Sequence, residues 1–201
     1  MKIIKPSVQL LWITPNAAKM IERAGRICYK SEDLITDDSA NKFVKKIIER
    51  GHLAVIEHAV ASLLFICDRG VTHELVRHRL VSYCQESTRY CNYSKDKFGN
   101  EISVIQPPNL DSNSLNVWRM ACDNAERAYF ALLEENVSPQ IARSVLPNCL
   151  KTEIVATANF REWRHILKLR TSQAAHPQIK EVMDMAKIIL QKECPIIFED
   201  L

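Results

Sequence analysis

The densest group of chemically capable side chains lies between residues 77 and 90, which read RHRLVSYCQESTRY. Arg77, Arg79 and Arg89 carry the planar fork that grips a phosphate or carboxylate through two parallel hydrogen bonds. Ser87, flanked by Glu86 and Arg89, lacks the glycine-lined elbow of a serine nucleophile and is better suited to hydrogen-bonding a phosphate. His78 lies between two cations, which disfavour its imidazolium and suit it to a neutral hydrogen-bonding or stacking role. Read as a helix, the Arg77-His78-Arg79 triplet would point in three directions, because successive residues turn by about 100°. One short segment could then reach several ligand groups, or a ligand and a neighbouring subunit. The same residues also suit an exposed basic helix end, since charge clusters are commonly solvated.

Other chemistries are limited by what the chain contains. With 4 glycines it holds neither G-x-G-x-x-G nor a P-loop, so a bound nucleotide or flavin must be held by side chains rather than by a Rossmann turn. Between Arg69 and Arg170 arginine outnumbers lysine 10 to 4, whereas outside that window lysine leads 10 to 3. That bias points to an anionic small molecule, while a net charge of +3 argues against a nucleic-acid or membrane coat. His52 and His58, and His73 and His78, miss the i, i+4 spacing of a helical metal pair, so no metal is expected. The seven cysteines (28, 67, 84, 91, 122, 149, 194) form no C-x-x-C pair and read as reduced core thiols of a cytoplasmic protein. Cys149 is the one cysteine considered as a nucleophile. His165, beside Arg161 and Arg164, reads either as a site residue or as a surface histidine.

Residues 2–13 alternate weakly, as a strand would, and 16–29 place Ala17, Ile21 and Ala24 at helical spacing. A second helix opens at Thr36-Asp37-Asp38 and stops at Gly51. Residues 59–67 form a buried strand, 68–70 a turn, and 71–79 a helix ending at the basic triplet. A polar loop over 90–113 carries a short strand at 102–105, and 115–135 is the longest helical pattern. Ser138-Pro139 launches a helix over 140–145 with a hydroxyl cap, and Pro147 ends it. A strand over 152–158 and helices over 160–169 and 177–192 follow. The expectation is one α/β (α+β) domain over 1–201, a central mixed sheet flanked by helices.

The motifs resemble those of the flavin-dependent thymidylate synthases. The likeness rests on Arg77-His78-Arg79 with Ser87, Gly51-His52 with Glu57-His58, Ile141-Ala142-Arg143-Ser144-Val145-Leu146-Pro147, Asn159-Phe160-Arg161 with Leu169-Arg170, and the closing Lys192-Glu193-Cys194-Pro195. It implies methylation of dUMP to dTMP, with carbon from 5,10-methylenetetrahydrofolate and reducing equivalents from NADPH through FAD. It further implies a homotetramer with active sites shared between subunits. Carried over by position, Arg77, Ser87, Arg89, Arg143 and Arg170 would hold dUMP, with Glu74, Gln85 and Glu86 as further contacts. Arg77, His78, Arg79, Gln85, Asn159, Arg161 and His165 would lie along FAD, together with the backbone near Ala54. Arg170 and Ser87 would be the catalytic pair. Many members carry Glu at the position of Gln85, several carry Gln at that of Glu74, and some a histidine at that of Ala174, a candidate folate contact. Two other functions fit the residues themselves: an arginine-based nucleotide or RNA-binding module without catalysis, and a Cys149-dependent methyltransferase.

Overall fold

Strict alternation drives the two longest strands. The structure is a computed structural model that describes residues 1–201, the side chain of Lys97 excepted. β1 (Lys2–Ile4) pairs in parallel with β5 (Ser103–Ile105), Lys2 facing Ser103 and Ile4 facing Ile105. A second sheet takes the order β2-β3-β6-β4, from β2 (Ser7–Ile13), β3 (Val60–Asp68), β4 (Ser82–Gln85) and β6 (Lys151–Asn159). On β3, Ala61, Leu63, Phe65 and Cys67 are buried, and on β6 Thr152, Ile154, Ala156 and Ala158, the period of two that a pleated strand requires. The helices are α1 (Ala17–Ile27), α2 (Ser39–Glu49), α3 (Arg69–Leu75), α4 (Ser112–Glu134), α5 (Pro139–Ala142), α6 (Phe160–Arg170), α7 (Pro177–Glu193) and α8 (Pro195–Phe198). This is the mixed α/β class expected.

The chain divides into two compact units. The first comprises 1–7, 66–75 and 84–154, and the second 8–65, 76–83 and 155–201. In the first, Tyr93, Ile102, Val104, Cys122, Tyr129, Ala142 and Leu150 form a buried cluster. α4 starts three residues earlier than its apolar pattern suggested, because Asp111 Oδ1 accepts from the Ser114 N–H at 2.7 Å and fixes its N-terminus. The Ser138 hydroxyl makes no such bond; the α5 turn instead closes on its backbone carbonyl.

In the second unit α1 packs against α2, and α6 against α7. Gly25 of α1 is required by that contact, since a Cβ there would lie 2.6 Å from the Phe43 ring and 3.0 Å from Val55. On α6, Phe160, Trp163, Ile166 and Leu167 are buried, and the Trp163 indole donates to the Ala61 carbonyl at 2.9 Å. Gly51 ends the α2 region at a φ of 72°, as its position suggested.

Two expectations around the basic triplet need correction. Residues 68–70 do not form a separate turn: Asp68 Oδ1 accepts from the Val71 N–H at 2.8 Å, so α3 begins at Arg69. Gly70 permits it, because a Cβ there would stand 2.9 Å from that carboxylate oxygen. α3 then ends at Leu75, and Arg77, His78 and Arg79 lie in the irregular segment that follows. Continued helix would have spread the triplet around an axis; instead His78 turns inward to 6% exposure while Arg77 and Arg79 stay exposed. Burial of one imidazole with its partners outweighs a few residues of helix propensity. The strand β4 after it was not anticipated, since SYCQ carries only weak alternation.

Candidate active site

Two clusters emerge, one in each unit. In the second unit, α6 begins where Asn159 Oδ1 accepts from the Glu162 N–H at 2.9 Å. That cap fixes the helical phase, so Glu162, His165 and Arg170 are set along the helix relative to the segment carrying His78. Arg170 Nε donates to His78 Nε2 at 3.1 Å. A guanidinium only donates, so the imidazole is neutral with its proton on Nδ1, the atom 3.8 Å from Glu162 Oε1. Burial first, then the Arg170 charge and His165, pushes the His78 pKa from 6.5 down to about 4. The neutral state was expected; its leading cause, burial, was not. Tyr83 Oη donates to the His78 carbonyl at 3.2 Å, and its phenol is pushed up, chiefly by burial and then by Glu162. The His165 ring, on exposed α6 surface, meets His78 edge-on at 5.9 Å.

His78, Glu162 and His165 bring three metal-capable atoms within 4.8 Å of one another. Their hydrogen bonding opposes a metal, because the lone pair of His78 Nε2 already accepts from Arg170 and Nδ1 carries the proton. Next to them, Glu57, Leu80, Asn159, Arg161, Glu162 and His165 line a cavity of about 370 Å³. Arg161 pairs there with Glu57 at 2.7 Å, both largely exposed. A cationic fork, an imidazole and an apolar Leu80 on one cavity suit a ligand with phosphate oxygens and a flat ring. Ala54 is exposed on the 3₁₀ turn of residues 53–58.

In the first unit, the chain after β4 turns so that the Ser87 hydroxyl accepts from the Arg89 N–H at 3.3 Å, leaving its own proton to donate. Arg89 Nε donates to Gln140 Oε1 at 3.3 Å and Arg143 Nε to the Gln140 carbonyl at 3.2 Å. Arg143 also reaches the buried Thr88 hydroxyl at 3.1 Å. Two arginines 54 positions apart in sequence therefore meet on one residue, beside a serine. Glu86 receives Lys151 Nζ at 3.0 Å and the Tyr93 hydroxyl at 3.4 Å, so each carboxylate oxygen already has a partner. Gln85 donates its amide to Thr72 and Thr152. Glu74 is half-buried on α3.

The sequence-derived residues thus fall into two sets: Glu74, Gln85, Glu86, Ser87, Arg89 and Arg143 in the first unit, and Ala54, Arg77, His78, Arg79, Asn159, Arg161, His165 and Arg170 in the second. Sequence reasoning passed over Gln140, Thr88, Glu162 and Tyr83. Only Glu162 left a trace, as the acidic residue three places after a capping Asn. Cys149 is no activated thiol: its Sγ lies 3.4 Å from Cys122 Sγ, and burial pushes its pKa up.

Residues 9–196 match the family model described as thymidylate synthase complementing protein. A flavin-dependent thymidylate synthase of Mycolicibacterium vanbaalenii is 34% identical over 205 residues, covering 92% of this chain and 80% of that one. A protein of the same name from Mycobacteroides abscessus is 35% identical over 218 residues, covering 98% and 85%. Among solved structures, a UMP/dUMP methylase from Streptomyces cacaoi bound with 5-Br dUMP shares the fold, with a TM-score of 0.84 at 22% identity over 99% of this chain and 96% of that one. With its motifs in order along nearly its whole length, the chain belongs to the flavin-dependent thymidylate synthase family.

Proposed function

We propose that the protein is a cytoplasmic enzyme that methylates dUMP to dTMP, using 5,10-methylenetetrahydrofolate as carbon donor and NADPH as reductant through FAD, and that it works as a homotetramer with shared active sites. The observation that carries this reading is the meeting of Arg89 and Arg143 on Gln140 beside Ser87. A charged phosphate there receives two forked donors and a hydroxyl, a set suited to a nucleotide monophosphate. Arg77 and Arg170 complete the proposed dUMP contacts, with Glu74, Gln85 and Glu86 as further ones. In a tetramer with shared sites the two sets need not come from one copy.

Arg77, His78, Arg79, Gln85, Asn159, Arg161, His165 and the backbone near Ala54 are the proposed flavin contacts, and the donor set on the Arg161 cavity fits that group. When bound, the flavin supplies the hydride chemistry. Neutral His78 orients Arg170 by accepting from its Nε. The guanidinium so held stabilises negative charge at the N3/O4 edge of uracil and raises nucleophilicity at C5. Removing such a charge-stabilising donor costs on the order of 3 kcal/mol of barrier. Ser87 donates to the phosphate or ring and holds the nucleotide in register.

The purified protein should be yellow, or become so with FAD; it should oxidise NADPH in response to dUMP and form dTMP only when dUMP and the folate are both present. Arg143→Ala should raise the KM for dUMP while leaving the flavin spectrum intact. Colourless protein that no FAD reconstitutes overturns the proposal, as does binding of polynucleotide that falls steeply with salt in place of dUMP turnover.

A further inference from the structure

Two threonine hydroxyls fix the polarity of the Gln85 side chain. Thr72 has one hydroxyl proton, and it goes to the carbonyl oxygen of Arg69 at 2.9 Å. Toward Gln85 the Thr72 oxygen can therefore only accept, so the group 3.0 Å away must be the amide nitrogen. The same nitrogen donates to Thr152 Oγ1 at 3.2 Å. Both hydroxyls are buried, at 1% and 0% exposure. The Gln85 carbonyl oxygen accepts nothing among the described residues, and none of their fully buried side-chain oxygens or nitrogens lacks a partner, so it is not sealed from solvent. The two ends of an amide are nearly the same size, and without these hydroxyls nothing steric would set which end points out.

We propose that Thr72 is a positioning residue: it holds Gln85 in the one orientation that offers a hydrogen-bond acceptor, and so selects a ligand group that donates, such as an imide N–H or a ribose hydroxyl. Thr152 reinforces the same orientation. This rests on the reading that Gln85 meets the nucleotide or the flavin. Loss of the Thr72 hydroxyl leaves one amide hydrogen without its acceptor and lets the amide turn, which sets donor against donor at the ligand. A carboxylate at position 85 is an acceptor whichever way it turns, so its outward oxygen accepts with or without the Thr72 hydroxyl.

The test compares Thr72→Val, Gln85→Glu, the double variant and Thr72→Ser in the full-length protein. Two constants are read: the affinity for FAD and the KM for dUMP of the flavin-loaded enzyme. Whichever constant moves identifies the ligand that Gln85 meets. Thr72→Val should weaken that constant about tenfold when Gln85 is retained but less than about twofold in the Gln85→Glu background, while Thr72→Ser stays close to the parent. Equal losses in both backgrounds would mean that Thr72 acts only as core packing, and would overturn the proposal. Gln85→Ala with neither constant moved would overturn the site reading itself, and the proposal with it.

Discussion

Stability between pH 7 and 4 should depend on His78 more than on any surface group. Its folded pKa is about 4 against 6.5 unfolded, and its side chain is 6% exposed. Because the folded value is depressed, the folded state favours neutral imidazole. The stability it carries is present above 6.5 and is lost as pH falls from 6.5 towards 4. Integrating one proton over that window gives a loss of about 2 kcal/mol at pH 5 and about 3 kcal/mol at pH 4. His78→Gln removes the titration yet keeps an oxygen able to accept from Arg170 Nε. Urea unfolding of both proteins at pH 7, 6, 5 and 4 isolates the effect, since all other titrating groups are shared. The gap between the two should shift in favour of the variant by those amounts as pH falls. A gap that stays constant across the window would refute the depressed pKa of His78 and the burial that causes it.

Three further outcomes follow from the packing and charge described. Gly25→Ala should lower stability by about 1–3 kcal/mol, because the new methyl meets the Phe43 ring at 2.6 Å, and Phe43→Leu should restore part of the loss in thermal unfolding. Cys149→Ser should leave turnover near that of the parent, since its thiol pKa is raised and its neighbour is Cys122; loss of turnover would favour a cysteine nucleophile. Asp200→Asn should cost less than about 1 kcal/mol at pH 7, because the Arg164 pair is half-exposed on its carboxylate side. Arg164 holds the Asp200 carboxyl below its usual 3.8, so that difference should close as acid protonates the parent, as melting temperatures at pH 7 and pH 3 would show.

Elements with a strong period were legible from the residues alone. β3 and β6 alternate, α1 and α7 carry regular apolar stripes, and Gly51 stops α2 where a left-handed residue is required. The basic triplet was legible as chemistry but not as structure. Its helical reading failed because the burial of His78 depends on Arg170, 92 residues later, which no local window contains. The same limit hid Gln140 and Thr88, ordinary polar residues until the fold sets them against Arg89 and Arg143. The two-unit division also escaped the sequence, which carries no proline- or glycine-rich linker to mark it.

That division has a consequence for how the protein can be cut and made. The backbone changes unit after residues 7, 65, 75, 83 and 154, so each unit is assembled from three separate stretches. No proteolytic fragment or truncated gene can supply either one without stretches of the other. On a ribosome the first could not close before residue 154 had emerged, nor the second before the final helices. A nick in an exposed loop should therefore leave two pieces that remain associated, whereas expression of either piece alone should yield insoluble chain.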